Sequence, residues 1–267
     1  MPALSIDGIA GALRRLGVMP GDVVMVHASL KAIGPVEGDA AGVLCALDMA
    51  VGAEGTLLMV LGATDDWSWV NDRPEWERPA LLADAVPFDS LTTPAEKDVG
   101  VLAEVFRQAQ GTQVSNHPEG RFAARGRLAA QLVADVPWDD YYGPGSPLEG
   151  LVNANGQVLR IGADTNTVTL LHYAEYLADV PSKRRVRRHR RVATPSGPEI
   201  RIVHCLDDSH GIVDWPGEDY FSVILRDYLG AHDVSRGFVG RAMSELISAP
   251  GLVTFATRWM TTHVAGT

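Results

Sequence analysis

VVMVHASLKAIGPVEGDAAGVLCALDMAVGAEGTLLMVL, running from Val23 to Leu61, is the stretch that decides the fold. It opens on a short uncharged run, Val23 to His27, of the kind found in strands buried on both faces. A glycine-containing loop follows. An amphipathic helix then carries Val43, Leu44, Leu47 and Ala50. Thr56 to Leu61 is a second buried strand. Strand, loop, helix and strand in this order predict a βαβ unit of a parallel sheet.

The flanking sequence extends this unit. Ser5 caps a helix through Leu16, with Ile6, Ile9, Leu13 and Leu16 on one face and Gly17 closing it. Residues 62–97 are rich in acids, hold Trp67, Trp69 and Trp76 with four prolines, and are too long for a plain connector, so they predict a functional loop or lid. Asp98 to Phe106 returns to helical spacing. Ser146-Pro147-Leu148-Glu149 is a capping box with proline at the first helical position. Gln157 to Gly162 predicts a strand and Thr167 to Leu177 a helix. Arg187 to Ala193 and Glu199 to Leu206 predict a hairpin around Thr194-Pro195-Ser196-Gly197. Two or three helices are expected to finish the chain. With no repeat and no boundary, the expected fold is a single α/β domain over 1–267: a central, mostly parallel sheet flanked by helices, with an added hairpin and a lid-like loop region.

The 267 residues are 46% hydrophobic and 21% charged, ordinary for a chain with a full core. No apolar run approaches the roughly 20 residues that span a bilayer. No basic segment followed by an apolar stretch marks a secretion signal. The expectation is a cytoplasmic protein that is no membrane partner, its oligomeric state left open. Its net charge is −10. That argues against nucleic acid as a partner and for cationic ligands, although solubility alone is the plainer use. The basic run Lys183 to Arg191 reads as a solvated strand face with acids nearby.

Three segments carry chemistry. Val26-His27-Ala28-Ser29-Leu30-Lys31 leaves the carboxyl end of a buried strand, where open α/β sheets bind ligands. Its backbone N–H groups, the Ser29 hydroxyl and Lys31 suit a phosphate or a pantetheine amide. A turn capped by Ser29 is the plainer alternative. In the second segment His172 and Glu175 stand at i and i+3 on one helix face. A carboxylate beside a histidine fixes its tautomer and raises its basicity, although a polar surface pair has the same spacing. In the third, Asp207 and Asp208 follow a strand and can orient a histidine, hold an ammonium or simply form a polar turn. The serine-elbow pattern GxSxG, the P-loop and HExxH are absent, and His27, His117, His172 and His210 are scattered, so no metal is expected.

The chain as a whole resembles the aminoglycoside 3-N-acetyltransferases, an acetyltransferase family distinct from the GNAT fold. The resemblance rests on VHASLKAIG at 26–34, VGAEGTLLMV at 51–60 and the Asp65 to Trp76 segment. It continues through Asn116-His117-Pro118-Glu119 into RFAARG at 121–126, PWDDYYGPGSPLEGL at 137–151 and VLRIGADTNTVTLLHYAE at 158–175. It implies acetyl-CoA as donor and a 2-deoxystreptamine aminoglycoside as acceptor. Donor contacts are then expected from His27, Ala28, Ser29, Leu30, Lys31, Ile33 and Ser115. Asp65, Asp66, Trp67, Glu75 and Asp207 are expected at the acceptor. His172 is the expected general base, oriented by Glu175 or Asp208. Some relatives carry that second acid where this chain has Ser209. Cys45 and Cys205 are both expected to be core residues, so transfer should be direct. Acetylation of another amine and non-catalytic sequestration of the antibiotic are the competing readings.

Overall fold

The Val23–Leu61 unit forms as its sequence predicts. In the computed structural model, which describes residues 2–264, it supplies the first two strands of a seven-stranded sheet. The strands are β1 (Val23–Ala28), β2 (Thr56–Val60), β3 (Gln113–Val114), β4 (Phe122–Gly126), β5 (Gln157–Ile161), β6 (Arg185–Val192), β7 (Glu199–Leu206), β8 (Ser235–Val239) and β9 (Ala242–Ser248). The helices are α1 (Ile6–Leu16), α2 (Leu30–Ile33), α3 (Asp39–Val51), α4 (Arg78–Leu81), α5 (Val101–Gln108), α6 (Ala129–Val133), α7 (Pro147–Asn153), α8 (Leu170–Leu177), α9 (Tyr220–Ala231) and α10 (Ala249–His263).

The sheet order is β3-β4-β2-β1-β5-β9-β8. β1 pairs in parallel with β2 on one side and β5 on the other. Outside this trio every pairing is antiparallel. Because β4 and β9 are the two reversed strands, five of the seven still point the same way. Side chains alternate across β1. Val24 and Val26 pack with α1, α3 and α5, while Val23 and Met25 pack with α6 to α10. The result is three layers, helices on both faces of a sheet.

The chain leaves β1 for β2 on one side and later returns to β5 on the other. That reversal opens a crevice at the carboxyl end of β1, the usual ligand position in such sheets. Gly162 lets the chain past β5 fold close against α2. Its φ is 61°, and a Cβ there would lie 2.5 Å from the Ala32 Cβ.

β6 and β7 form a separate antiparallel hairpin. The segment 62–97 lies against it through short 3-10 turns and α4. Phe88 N–H donates to Arg191 O (2.8 Å), Ala193 N–H to Phe88 O (2.8 Å) and His189 N–H to Asn71 Oδ1 (2.7 Å). From below, the fully buried Arg121 donates to Ser90 O (2.7 Å) and Pro94 O (3.2 Å) and lies over the Phe88 ring.

Two expectations change. The helix expected over Thr167–Leu177 is a 3-10 turn, Thr165–Thr167, followed by α8 from Leu170, because Val168 has ψ 87° and interrupts the helix. The chain does not finish in helices alone, since the β8–β9 hairpin separates α9 from α10. β8 is an edge strand with Phe238 exposed, and Met243 of β9 is exposed too, so neither strand alternates cleanly.

Candidate active site

A cavity of about 560 Å³ occupies the crevice at the strand ends. His27, Ala28, Ser29, Leu30 and Lys31 line it, as does the start of α5 around Gly100 and Val101. Ser29 combines both readings given to it. Its Oγ caps α2 by accepting the Ala32 N–H (3.3 Å), its own N–H donates to Ile161 O (2.9 Å), and it still lines the cavity. The first-turn N–H groups of Leu30 and Lys31 have no acceptor within the helix, as at any helix start. Burial, helped by Arg160, holds the His27 pKa down to about 4, so the ring is neutral at pH 7.

Two expected donor contacts are not brought to this cavity. Ile33 is buried in the core beside α1 and α3. Ser115 is fully buried, its hydroxyl accepting the Phe122 N–H (2.8 Å) and donating to Gly120 O (3.3 Å). Its role in the structure is to hold the turn before β4.

His172 stands at the cavity's inner wall. Its Nδ1 lies 2.7 Å from Glu175 Oε2. Glu175 is 1% exposed and accepts a second hydrogen bond from the Tyr220 hydroxyl. With Nδ1–H donated to a carboxylate, Nε2 is left with its lone pair. The ring is clamped between Tyr142, stacked at 4.9 Å and 11°, and the edge of Phe221 at 4.8 Å. Burial pulls the His172 pKa down. The charge and hydrogen bond of Glu175, with Asp208 behind, pull it up more strongly, and the net displacement is above 6.5.

A second cavity, of about 270 Å³, shares His172, Asn166 and Phe221 with the first. Glu175, Asp208, Glu218 and Asp219 line it. Through Ser209 and His210 it meets a third cavity of about 690 Å³, which holds Glu75 and Asp207. Asp65, Asp66 and Trp67 line a fourth, of about 310 Å³, under the 62–97 segment. The expected acceptor acids are therefore spread over more than one chamber.

Most of these acids already have partners. Asp208 accepts from Tyr141 Oη (2.5 Å) and pairs with Arg188. Burial raises its pKa, but Arg188 and His172 reverse this and leave it below the usual carboxylate value. Asp207 accepts the Ser209 and His210 N–H groups (both 3.1 Å), a polar turn. Asp65 pairs with Arg190, and Glu75 with Arg187.

The basic run is thus not a solvated face throughout. Arg185 and Arg187 are exposed, but Arg188 and Arg190 alternate to the inner side of β6 and bind acids there. Glu119, buried between those two arginines, has its pKa raised by burial to about 7.

Sequence reasoning also missed Tyr142, Tyr220 and Phe221 around His172. Tyr142 lies within the quoted PWDDYYGPGSPLEGL motif, whereas the α9 pair carried no local signal. Cys205 is buried, and burial pushes its thiol up to about 12. Cys45 is exposed on α3 and not a core residue, since Gly42, Val43, Leu44 and Leu47 supply the buried face. Among the described residues no group is arranged to hold a metal ion, and no helix is long and apolar enough to cross a membrane.

Comparison with known proteins finds relatives along nearly the whole chain. The family model for aminoglycoside 3-N-acetyltransferase matches residues 25–261. The chain is 38% identical over 258 residues to aminoglycoside N(3)-acetyltransferase VII of Streptomyces paromomycinus, covering 94% of this chain and 90% of the relative. It superposes on the binary complex of AAC-IIIb with CoASH with a TM-score of 0.92 at 35% identity, covering 98% of this chain and 97% of the other. For AAC-VIa bound to sisomicin the TM-score is 0.89 at 35% identity, with 98% of each covered.

Proposed function

The chain belongs to the aminoglycoside 3-N-acetyltransferase family, and from that premise we propose that it moves the acetyl group of acetyl-CoA onto the 3-amino group of a 2-deoxystreptamine antibiotic, with His172 as general base. The carrying observation is that His172 lines both the strand-end cavity and the acidic one behind it. A base in that wall can serve an amine on one side attacking a thioester on the other. The cytoplasm, where acetyl-CoA is available, is the place this activity requires. The whole chain, 1–267, acts as one domain in this reading.

The size and lining of the first cavity support it as the donor site. At about 560 Å³ it is in the range of small-molecule sites. Lys31 supplies a cation for phosphate, and Gly100, whose missing Cβ would meet nothing within 4 Å, leaves room beside α5.

The reaction needs a neutral amine, whereas aminoglycoside amines are mostly protonated near pH 7. The ammonium first gives one proton to solvent, and Nε2 of His172 takes the second as the neutral nitrogen bonds to the thioester carbonyl carbon. The C–S bond then breaks and the thiolate leaves, reprotonated by the imidazolium or by solvent. Glu175 keeps Nδ1 protonated and offsets the imidazolium charge. A base so placed contributes roughly 10² to 10⁴-fold.

The test is free-thiol release from acetyl-CoA with a panel of aminoglycosides, with the product's acetylated nitrogen located by NMR. Release with 3-N-acetyl product is expected. No release with any member removes the reading.

A further inference from the structure

We propose that Arg188 and Arg190 set acceptor selectivity: their guanidinium groups occupy the carboxylates that a polycation's outlying ammonium groups would take, so the enzyme favours acceptors with few ammonium groups beyond the one acetylated. This rests on reading the acidic chambers behind His172 as the acceptor site.

The two chambers differ in charge. The smaller one, at His172, is lined by Glu175, Asp208, Glu218 and Asp219, and among the described residues no lysine or arginine lines it. It suits one ammonium group. The larger chamber, which shares Ser209 and His210 with the smaller one and is the space this proposal gives to the rest of the acceptor, is lined by Arg78, Arg185, Arg187, Arg188 and Arg190. Against these stand Asp72, Glu75, Glu119 and Asp207. A protein of net charge −10 therefore presents a cavity with no excess of negative charge where a polycation would need one.

The arginines cannot readily give way. Arg188 is buried, pairs with Asp208, approaches Glu119 (3.5 Å) and Asp207 (3.7 Å), and donates to Tyr141 Oη and Ser209 Oγ (both 2.8 Å). Arg190 joins Asp65 to Glu119. The planar fork of Arg188 is held at several points, and Arg190 donates from Nε to Glu119. Both project from the inner side of β6, a strand fixed on its other edge by β7 and covered by the 62–97 segment. An incoming ammonium must either displace a guanidinium from buried carboxylates or sit beside it, and both are unfavourable.

The test uses the full chain and 2-deoxystreptamine acceptors graded by ammonium count, followed by thiol release at saturating acetyl-CoA. Wild-type KM should rise with ammonium count. Arg190→Gln frees Asp65 and Glu119, the latter in the larger chamber, and should lower KM for the most cationic acceptors by about tenfold, while changing the least cationic little and leaving KM for acetyl-CoA unchanged. The pair Asp65→Asn with Arg190→Gln removes one charge of each sign and should restore the wild-type ranking, which an effect of side-chain size alone would not do. A wild-type KM that falls steadily with ammonium count overturns the proposal. So does an Arg190→Gln effect equal for all acceptors. If wild-type enzyme releases no thiol, the functional reading has failed, and the same ranking is then read from calorimetric affinities of the same compounds. The wild-type ranking needs no variant, so poor folding of Arg190→Gln does not protect the idea.

Discussion

His172 is held between opposed influences, and the balance makes a prediction about pH. Burial favours the neutral ring; Glu175 and Asp208 favour the cation and prevail. A base with a raised pKa is protonated, and inactive, below that pKa. Acceptor kcat/KM should therefore climb with pH along a limb centred above 6.5. Glu175→Gln removes the charge and keeps an acceptor oxygen, so the limb should move to lower pH while kcat falls. An unmoved limb would falsify the assignment of Glu175 as the partner that sets basicity. His172→Ala should lower kcat at least about 10²-fold with acetyl-CoA still bound by calorimetry. The same linkage has a sign for stability. The protonated pair stabilises the fold fully below the unfolded histidine's pKa and loses that contribution as pH rises through the raised native value. At this scale the sequence was half legible. The i, i+3 spacing placed His172 beside Glu175. Nothing local announced that Tyr220, 45 residues on, would donate to Glu175, or that two of the β6 arginines would turn inward.

Elements were legible in proportion to how deeply they are buried. β1 and β2 are largely apolar runs because helices cover both faces, and their carboxyl ends, with the residues that follow β5, carry the cavity. β8 and β9 were missed because neither is an apolar run: β8 is an edge strand that exposes Phe238, and β9, though paired on both sides, exposes Met243 and carries Ser244 and Glu245. The 62–97 segment was legible as more than a plain connector from length and composition, but not its docking on β6, which runs largely through backbone groups. Arg121 should carry much of that docking. Arg121→Ala leaves the carbonyls of Ser90 and Pro94 without their donor and empties a large buried volume. The expected cost is about 3 kcal/mol in denaturant unfolding, with new protease sensitivity within 62–97. A variant of wild-type stability and unchanged cleavage would show that the segment is held by other contacts. The strand-end loop makes a two-part prediction. Lys31→Ala should raise KM for acetyl-CoA without loss of stability, because the side chain is exposed. Ser29→Ala should also raise it, and should cost about 1 kcal/mol as well, because Oγ caps α2.

For the molecule as a whole, two cavities meeting at one histidine imply that both substrates are bound together. A covalent route would need an acceptor nucleophile able to carry the acetyl group, and a thiol is the first candidate. Cys205 does not meet the requirement, since burial drives its thiol to about 12 and Asp208 and Glu119 oppose its ionisation. Activated cysteines instead sit in electropositive, partly open surroundings that lower the pKa. Cys45 is exposed, but it lies on α3 and does not line the cavity that holds His172. Transfer should therefore be direct, within a ternary complex. Initial-rate lines at several fixed acetyl-CoA concentrations should intersect. Parallel lines, with an acetylated Cys205 peptide recovered after incubation with acetyl-CoA alone, would overturn the mechanism. The cysteine variants should separate stability from chemistry. Cys45→Ser alters a solvent-facing position and should change neither Tm nor kcat. Cys205→Ala truncates a packed side chain and should cost roughly 1 kcal/mol of stability while leaving kcat within a few-fold.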